Sequence, residues 1–240
     1  MNRKPADDFY SSLPFSTFQE SEISNLEAKR EVALRTADLV ESGQTVGAGS
    51  GSTSFLVFKE VARRISSGEL SGVTMIPTSL EVEWMLNGYG IPVASLAACQ
   101  PDWIFDGADE VDPTGNLIKG RGGALLREKL LFQSTPLRRV LVDESKLVKQ
   151  LGSSVAVPVE VIPSAIEVVV PRIAQLGANE IKIRVGGGKD GPVITEHGNV
   201  LLDCKFDSIL DQLESQLSCI PGVVESGLFI GYDPEIIQAG

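Results

Sequence analysis

Between residues 24 and 151, short apolar runs that end in polar or glycine-rich turns alternate with stretches of helical periodicity. Parallel neighbours in a sheet need a crossover of a dozen or more residues, usually a helix, so this alternation predicts a parallel sheet covered by helices. Helices are expected over 26–39, 54–65, 80–88 and 123–132, and strands over 44–46, 73–76, 103–105, 117–118 and 140–142. After Gly152 the pattern changes. A strand over 157–161, a helix over 164–176, a strand over 181–185, a hairpin pairing 193–195 with 200–204 and a helix over 208–217 suggest a ferredoxin-like unit. The last apolar run, 223–230, is read as returning to the first domain. The expected class is α/β, a Rossmann-like parallel sheet domain (1–152 and 221–240) with a smaller ferredoxin-like α+β domain (153–220) suited to oligomerisation. Residues 1–24 are read as a loose lead-in.

Charge and composition remove several classes of function. Lys plus Arg is 21 and Asp plus Glu is 32, a net charge of −11, the wrong sign for a protein that binds a phosphate backbone. No nucleic-acid partner is expected. No stretch approaches the ~20 apolar residues of a membrane span, so no membrane partner is expected either. Residues 1–24 lack an apolar signal core and the Arg-rich, acid-poor look of a transit peptide. The three cysteines, Cys99, Cys204 and Cys219, are odd in number, sit among apolar residues and form no C-x-x-C pair. They read as buried free thiols in a reducing, cytoplasmic compartment, with a plastid left open. The single histidine, His197, lies in a hairpin turn and rules out a Ser-His-Asp triad or a multi-His metal site.

Three segments could carry chemistry. Gly47-Ala48-Gly49-Ser50-Gly51-Ser52-Thr53 lies between a predicted strand and a predicted helix. Glycines there let N–H groups and a helix N-terminus converge on one anion, with the Ser52 and Thr53 hydroxyls as further donors. The spacing fits neither a dinucleotide fingerprint nor a Walker A loop, which favours a phosphomonoester. A tight glycine turn with serine as helix cap fits the same residues. Asp106-Gly107-Ala108-Asp109-Glu110-Val111-Asp112 follows a strand, and ligands of open α/β sheets bind at carboxyl ends of strands. A solvated acidic turn or a divalent-cation site would also use four carboxylates, although the EF-hand spacing is missing. In Lys119-Gly120-Arg121-Gly122-Gly123-Ala124-Leu125-Leu126-Arg127-Glu128-Lys129 a strand ends, turns on glycines and enters a helix. Glu128 has Ala124 and Leu125 before it and Leu131 and Phe132 after it at helical spacing, which puts its carboxylate on the buried stripe. A carboxylate in apolar surroundings suits a general base near neutral pH, although a salt bridge to the sheet would also explain it. Arg127 and Lys129 flank that stripe and are expected to reach solvent.

Taken together these segments resemble the type A ribose-5-phosphate isomerase family, over roughly 26–230. The resemblance rests on Lys29, the 47–53 loop, D-G-A-D-E at 106–110, K-G-R-G-G-A-L-L-R-E-K at 119–129 and D-E-S-K at 143–146, with V-P-V-E-V-I-P at 157–163 and I-P-G-V-V at 220–224. It implies aldose–ketose isomerisation between D-ribose 5-phosphate and D-ribulose 5-phosphate in the pentose phosphate pathway, through a cis-enediol(ate). It implies phosphate binding by Ser50, Gly51, Ser52 and Thr53, with Lys29 and Lys146 as cations nearby. Asp106 and Asp109 would handle sugar hydroxyls, Lys119 would stabilise the enediolate oxygen, and Glu128 would move the carbon-bound proton. Gly107, Ala108, Gly120, Arg121 and Gly122 would complete the substrate contacts. The family often has glycine where Arg121 stands, and Arg121 is expected to point outward and supply only its N–H. No metal or cofactor is called for, the partner is a small sugar phosphate, and a homodimer or homotetramer is expected. A non-catalytic sugar-phosphate sensor and a CoA-transferase-like enzyme of the same fold are the rival readings; the first would dispense with Glu128, the second would use a glutamate as nucleophile.

Overall fold

The computed structural model describes residues 20–188 and 190–239. The chain runs through α1 (Leu26–Asp38), β1 (Thr45–Ala48), α2 (Ser52–Ser67), β2 (Thr74–Pro77), α3 (Leu80–Tyr89), β3 (Trp103–Gly107), β4 (Glu110–Val111), β5 (Leu117–Ile118), α4 (Leu125–Ser134) and β6 (Arg138–Val142). It continues through β7 (Val157–Val161), α5 (Ile166–Gln175), β8 (Ala178–Ile183), β9 (Val200–Phe206), α6 (Leu213–Ser218), β10 (Val223–Ser226), β11 (Leu228–Phe229) and β12 (Glu235–Gln238). Two compact units result. One takes in 20–107, 131–144 and 234–239, the other 108–130, 145–188 and 190–233.

The first unit is built on a five-stranded sheet in the order β12-β6-β3-β1-β2, parallel throughout. Ile104 and Phe105 point to opposite faces and both are fully buried, as strands of a sheet covered on both sides must be. α1 turns Val32, Ala33, Thr36 and Ala37 inward at helical spacing, and α2 buries Phe55, Phe58, Val61 and Ala62 in the same core. α3 starts where Ser79 caps it, its side chain accepting from the Val82 N–H at 3.1 Å. The expected elements of this unit stand within a few residues of their predicted bounds. β12 went unread in the sequence because its four residues carry only the pair Ile236-Ile237 as a signal.

The sheet order places a switch point beside β1: the chain leaves β1 through α2 to β2 on one side, and β3 lies on the other. At that point the backbones come unusually close. Gly49 donates its N–H to the Phe105 carbonyl at 2.8 Å, and a Cβ on Gly49 would lie 2.4 Å from the Asp106 Cα. Only glycine fits there.

In the second unit β10-β7-β9-β8 form an antiparallel sheet. With α5 and α6 the chain order is βαββαβ, the ferredoxin-like arrangement. Val157, Val159, Val161, Val169, Ile173, Leu202 and Leu217 fill its core. The unit is larger than the 153–220 segment outlined from sequence, since it also holds a three-stranded antiparallel sheet, β11-β5-β4. β5, expected in the parallel sheet, belongs to this one. The run 223–230 does not return to the first unit but splits at Gly227 into β10, paired with β7, and β11, paired with β5. Glycine permits the split because a Cβ at Gly227 would sit 2.2 Å from the Lys119 carbonyl oxygen. The strand over 193–195 reduces to isolated bridges, and the helix over 208–217 to the shorter α6.

Most of the proposed lead-in, 1–19, lies outside the described residues. The next three residues form a single 3-10 turn, where Glu20 pairs with Arg30 and with Lys59 at 2.9 Å each. All three cysteines are free, but only Cys204 is buried; Cys99 is half-buried and Cys219 exposed. Burial pushes the Cys204 thiol up to about 12, with the neighbouring Asp203 charge adding to the shift. His197 sits exposed in the turn before β9. Among the described residues no helix is long and apolar enough to cross a membrane.

Gly49→Ala should cost at least the ~1–3 kcal/mol typical of overpacking, because the added methyl meets the Asp106 carboxylate and also its Cα, which no side-chain rotation can move away. A denaturant titration checks this; an unchanged midpoint would show that β1 and β3 can part without loss.

Candidate active site

In the first unit the loop after β1 leads into the N-terminus of α2. Gly51, at φ 91°, occupies the helix cap position, so no side chain covers the first N–H groups of α2. Ser52 and Thr53, half-buried, stand in the first turn. The cap that serine could have supplied is therefore not made here, unlike at Ser79, and the helix end keeps donors and a partial positive charge to offer an anion. Ser50 donates its N–H to Asp106 Oδ1 at 3.0 Å, and the Gly107 N–H reaches the same oxygen at 2.8 Å. Asp106, at the carboxyl end of β3, is thus brought together with the loop. On α1 the Lys29 Nζ lies 3.9 Å from Asp143 Oδ2 and 3.2 Å from Ser24 Oγ, a half-buried cation facing a buried carboxylate just after β6.

The second unit holds the other acid and base groups. Lys119 directly follows β5, and Gly120, at φ 97°, turns the chain toward α4; a Cβ there would come within 2.8 Å of the Leu125 Cβ. The turn returns Glu128 to Lys119, Nζ to Oε2 3.2 Å, with only 2% and 3% of the two side chains exposed. The Phe229 ring backs the pair, 5.6 Å from the Lys119 Nζ. Arg121 gives its N–H to Asp109 Oδ2 at 3.0 Å, while its guanidinium, 80% exposed, stands 3.7 Å from the other carboxylate oxygen. Gly122 is exposed at the tip of this turn, Ala108 half-buried at the start of the unit, and Lys146 half-buried at the end of a 3-10 turn after β6.

The four carboxylates of 106–112 separate by what they touch. Glu110 is wholly buried and accepts from the N–H groups of Gly152, Ser154 and Val155 and from the Ser154 hydroxyl, which fastens the 152–155 loop. Asp112 accepts from the Thr114 and Asn116 N–H groups and closes a turn. Only Asp106 and Asp109 remain beside the loops just described. No group of three or more His, Cys, Asp or Glu side chains is placed to hold a metal ion among the described residues.

Sequence reasoning misplaced Lys129 and missed Arg184. Lys129, expected at the surface, is 2% exposed, because Glu214 and Glu225 reach its Nζ at 2.6 and 2.8 Å inside the unit. Arg184, just past β8, donates to the carbonyls of Gly120 at 3.0 Å and Arg121 at 2.8 Å while the Asp203 carboxylate holds its other nitrogens. It braces the turn between Lys119 and Glu128. Nothing local marks either residue, since their partners lie tens of residues away.

The model of the family "Ribose 5-phosphate isomerase A (phosphoriboisomerase A)" matches residues 74–240. Ribose-5-phosphate isomerase A of Thermosynechococcus vestitus is 46% identical over 205 residues, 84% of this chain and 86% of that protein. Its counterpart in Methanocaldococcus jannaschii is 44% identical over 218 residues, 90% of this chain and 95% of the relative. The solved structure of the M. jannaschii protein superposes with a TM-score of 0.85 at 42% identity, covering 90% of this chain and 96% of that one. A D-ribose-5-phosphate isomerase solved in complex with phospho-erythronic acid also gives 0.85, at 38% identity and the same coverage. With a family model across most of its length and relatives above 40% identity over more than four-fifths of it, the chain belongs to the ribose 5-phosphate isomerase A family.

Proposed function

We infer that this chain interconverts D-ribose 5-phosphate and D-ribulose 5-phosphate, and the observation that carries the chemical reading is the buried Lys119–Glu128 pair at 3.2 Å. Aldose–ketose interconversion through a cis-enediol(ate) needs a base to move a proton between C1 and C2, and a cation where negative charge develops on oxygen. Glu128 takes the proton from C2 of the open-chain aldose as the C1 carbonyl becomes the enediol hydroxyl. It then delivers the proton to C1 while O2 gives up its own and becomes the ketone. Lys119 stabilises the oxygen that is transiently anionic. Asp106 and Asp109 exchange protons with O1 and O2, a role supported by their place beside the two loops while Glu110 and Asp112 are committed to structure. The scheme uses only side chains of this protein.

Phosphate binding falls to Ser50, Gly51, Ser52 and Thr53, a reading supported by the helix end that no side chain caps. Lys29 and Lys146 supply positive charge, and Gly107, Ala108, Gly120, Arg121 and Gly122 supply backbone contacts. A relative's complex with phospho-erythronic acid supports a sugar-phosphate ligand. A sensor that only binds would have no need to bury a carboxylate against a lysine, so the catalytic reading is preferred. The free thiols fit a reducing cytoplasm, and the reaction fits the pentose phosphate pathway.

β8 is an edge strand of its sheet, and Ile183, Val185 and Ile194 are exposed beside it, which supports a homodimer or a dimer of dimers. Light scattering at micromolar concentration should give at least twice the chain mass; a monomeric mass refutes the assembly.

Glu128→Gln keeps the shape and removes the base. Turnover should fall by ~10²–10⁴-fold with KM little changed, and exchange of solvent deuterium into C2 of ribose 5-phosphate should cease. A folded variant that keeps near-full turnover and exchange would move the base to Asp106 or Asp109. Removing the Ser52 and Thr53 hydroxyls together should cost about 1.5–3 kcal/mol, felt mainly in KM, and free ribose should be a very poor substrate. Comparable kcat/KM for ribose and ribose 5-phosphate would show that the 47–53 loop is only a turn.

A further inference from the structure

Successive residues of a helix diverge by about 100°, so Glu128 and Lys129 leave α4 in different directions. Glu128 meets Lys119. Lys129 is turned toward the segment that forms β10 and β11. Its three ammonium protons have three acceptors: Glu214 Oε1 at 2.6 Å, Glu225 Oε1 at 2.8 Å and the Leu228 carbonyl at 2.6 Å. Leu228 pairs in register with Ile118, the residue before Lys119, and the Lys119 N–H donates to the Gly227 carbonyl at 2.9 Å. The Phe229 ring lies 4.8 Å from the Lys129 Nζ and 5.6 Å from the Lys119 Nζ. One continuous path therefore runs from the helix that carries Glu128, through Lys129, into β11, and across a strand pair to Lys119.

We propose that Lys129 is a positioning residue for the isomerisation: its ammonium ties α4 to β11 and thereby sets the separation of Glu128 and Lys119. The inference rests on the reading of those two residues as base and oxyanion cation. A lysine with its charge buried is costly unless every proton is taken, and here every proton is. What the cluster returns is geometry. Proton transfer depends steeply on placement, and a displacement of about 1 Å at the reacting groups can cost ~10²-fold in rate. The other cation of α4, Arg127, turns to Glu196 at 2.9 Å, on another segment.

The test measures the wild type, Glu128→Gln, Lys129→Met and Glu225→Gln side by side, with kcat, KM and the kinetic isotope effect for ribose 5-phosphate deuterated at C2. Lys129→Met keeps the apolar stem and removes the tie; turnover should fall at least about 10-fold with KM within about 3-fold, as expected when reacting groups are misplaced and phosphate binding is not. The isotope effect should rise, because proton transfer becomes the slower step. A purely structural role would lower the amount of folded enzyme and leave the isotope effect and KM as they were. Glu225→Gln leaves Lys129 two full acceptors, so it should shift kcat and the isotope effect in the same direction by less, and it decides the matter if Lys129→Met does not fold. Wild-type kcat in a folded variant, or a loss of turnover with an unchanged isotope effect, overturns the proposal while Glu128→Gln stays inactive. An active Glu128→Gln protein would instead remove the reading of the base, and this inference with it.

Discussion

Two opposite charges, Lys119 and Glu128, lie 3.2 Å apart with almost none of either side chain exposed. Removing both from water is expensive, and only close, fixed pairing offsets the cost, whereas either charge left alone there would destabilise the fold by about 3–5 kcal/mol. The second unit reads as a frame for that pair. β11 must lie against β5, which demands glycine at position 227; the chain must reverse at Gly120 in a left-handed conformation; and α4 must be held at its far side, where Lys129 meets two carboxylates and a carbonyl. Arg184 fastens the intervening turn through two of its carbonyls. The same buried pair is suited to catalysis, because a carboxylate shielded from water and set beside an ammonium needs little reorganisation when charge moves.

The first unit answers a different demand, for a helix end without a side-chain cap and a carboxylate beside it. Parallel topology supplies both at one place. Where β1 parts from β3, the turn after each strand is free of the next crossover, and ligands of open α/β sheets bind at such points. Gly49 allows the two turns to touch, Gly51 leaves the N-terminus of α2 without a side-chain cap, and Asp106 uses one oxygen to hold the Ser50 and Gly107 N–H groups. The glycines thus answer two requirements: Gly49 is required by space, Gly51 by backbone angle, and Gly120 by both.

Local pattern determined a great deal here. The alternation of apolar runs with helical periodicity settles the α/β class, the apolar neighbours of Glu128 settle that it is buried, and G-x-G-S-G-S-T between a strand and a helix marks a glycine turn into a helix, equally open to an anion loop or a plain capped turn. Each of these depends on residues within one or two turns of each other, so the chain displays them without folding. Tertiary structure alone decided which carboxylates of 106–112 are structural, since Glu110 is told from Asp109 only by donors at 152–155. It also decided that Lys129 is inside, held by partners 85 and 96 residues away, that the 223–230 run divides between two sheets, and that 235–238 completes the parallel one. A charge is buried or exposed according to what meets it across space, and strand pairing is a choice among distant partners; neither is encoded in the spacing of neighbouring residues, which is why sequence reached the chemistry of the groups and folding alone assigned their tasks.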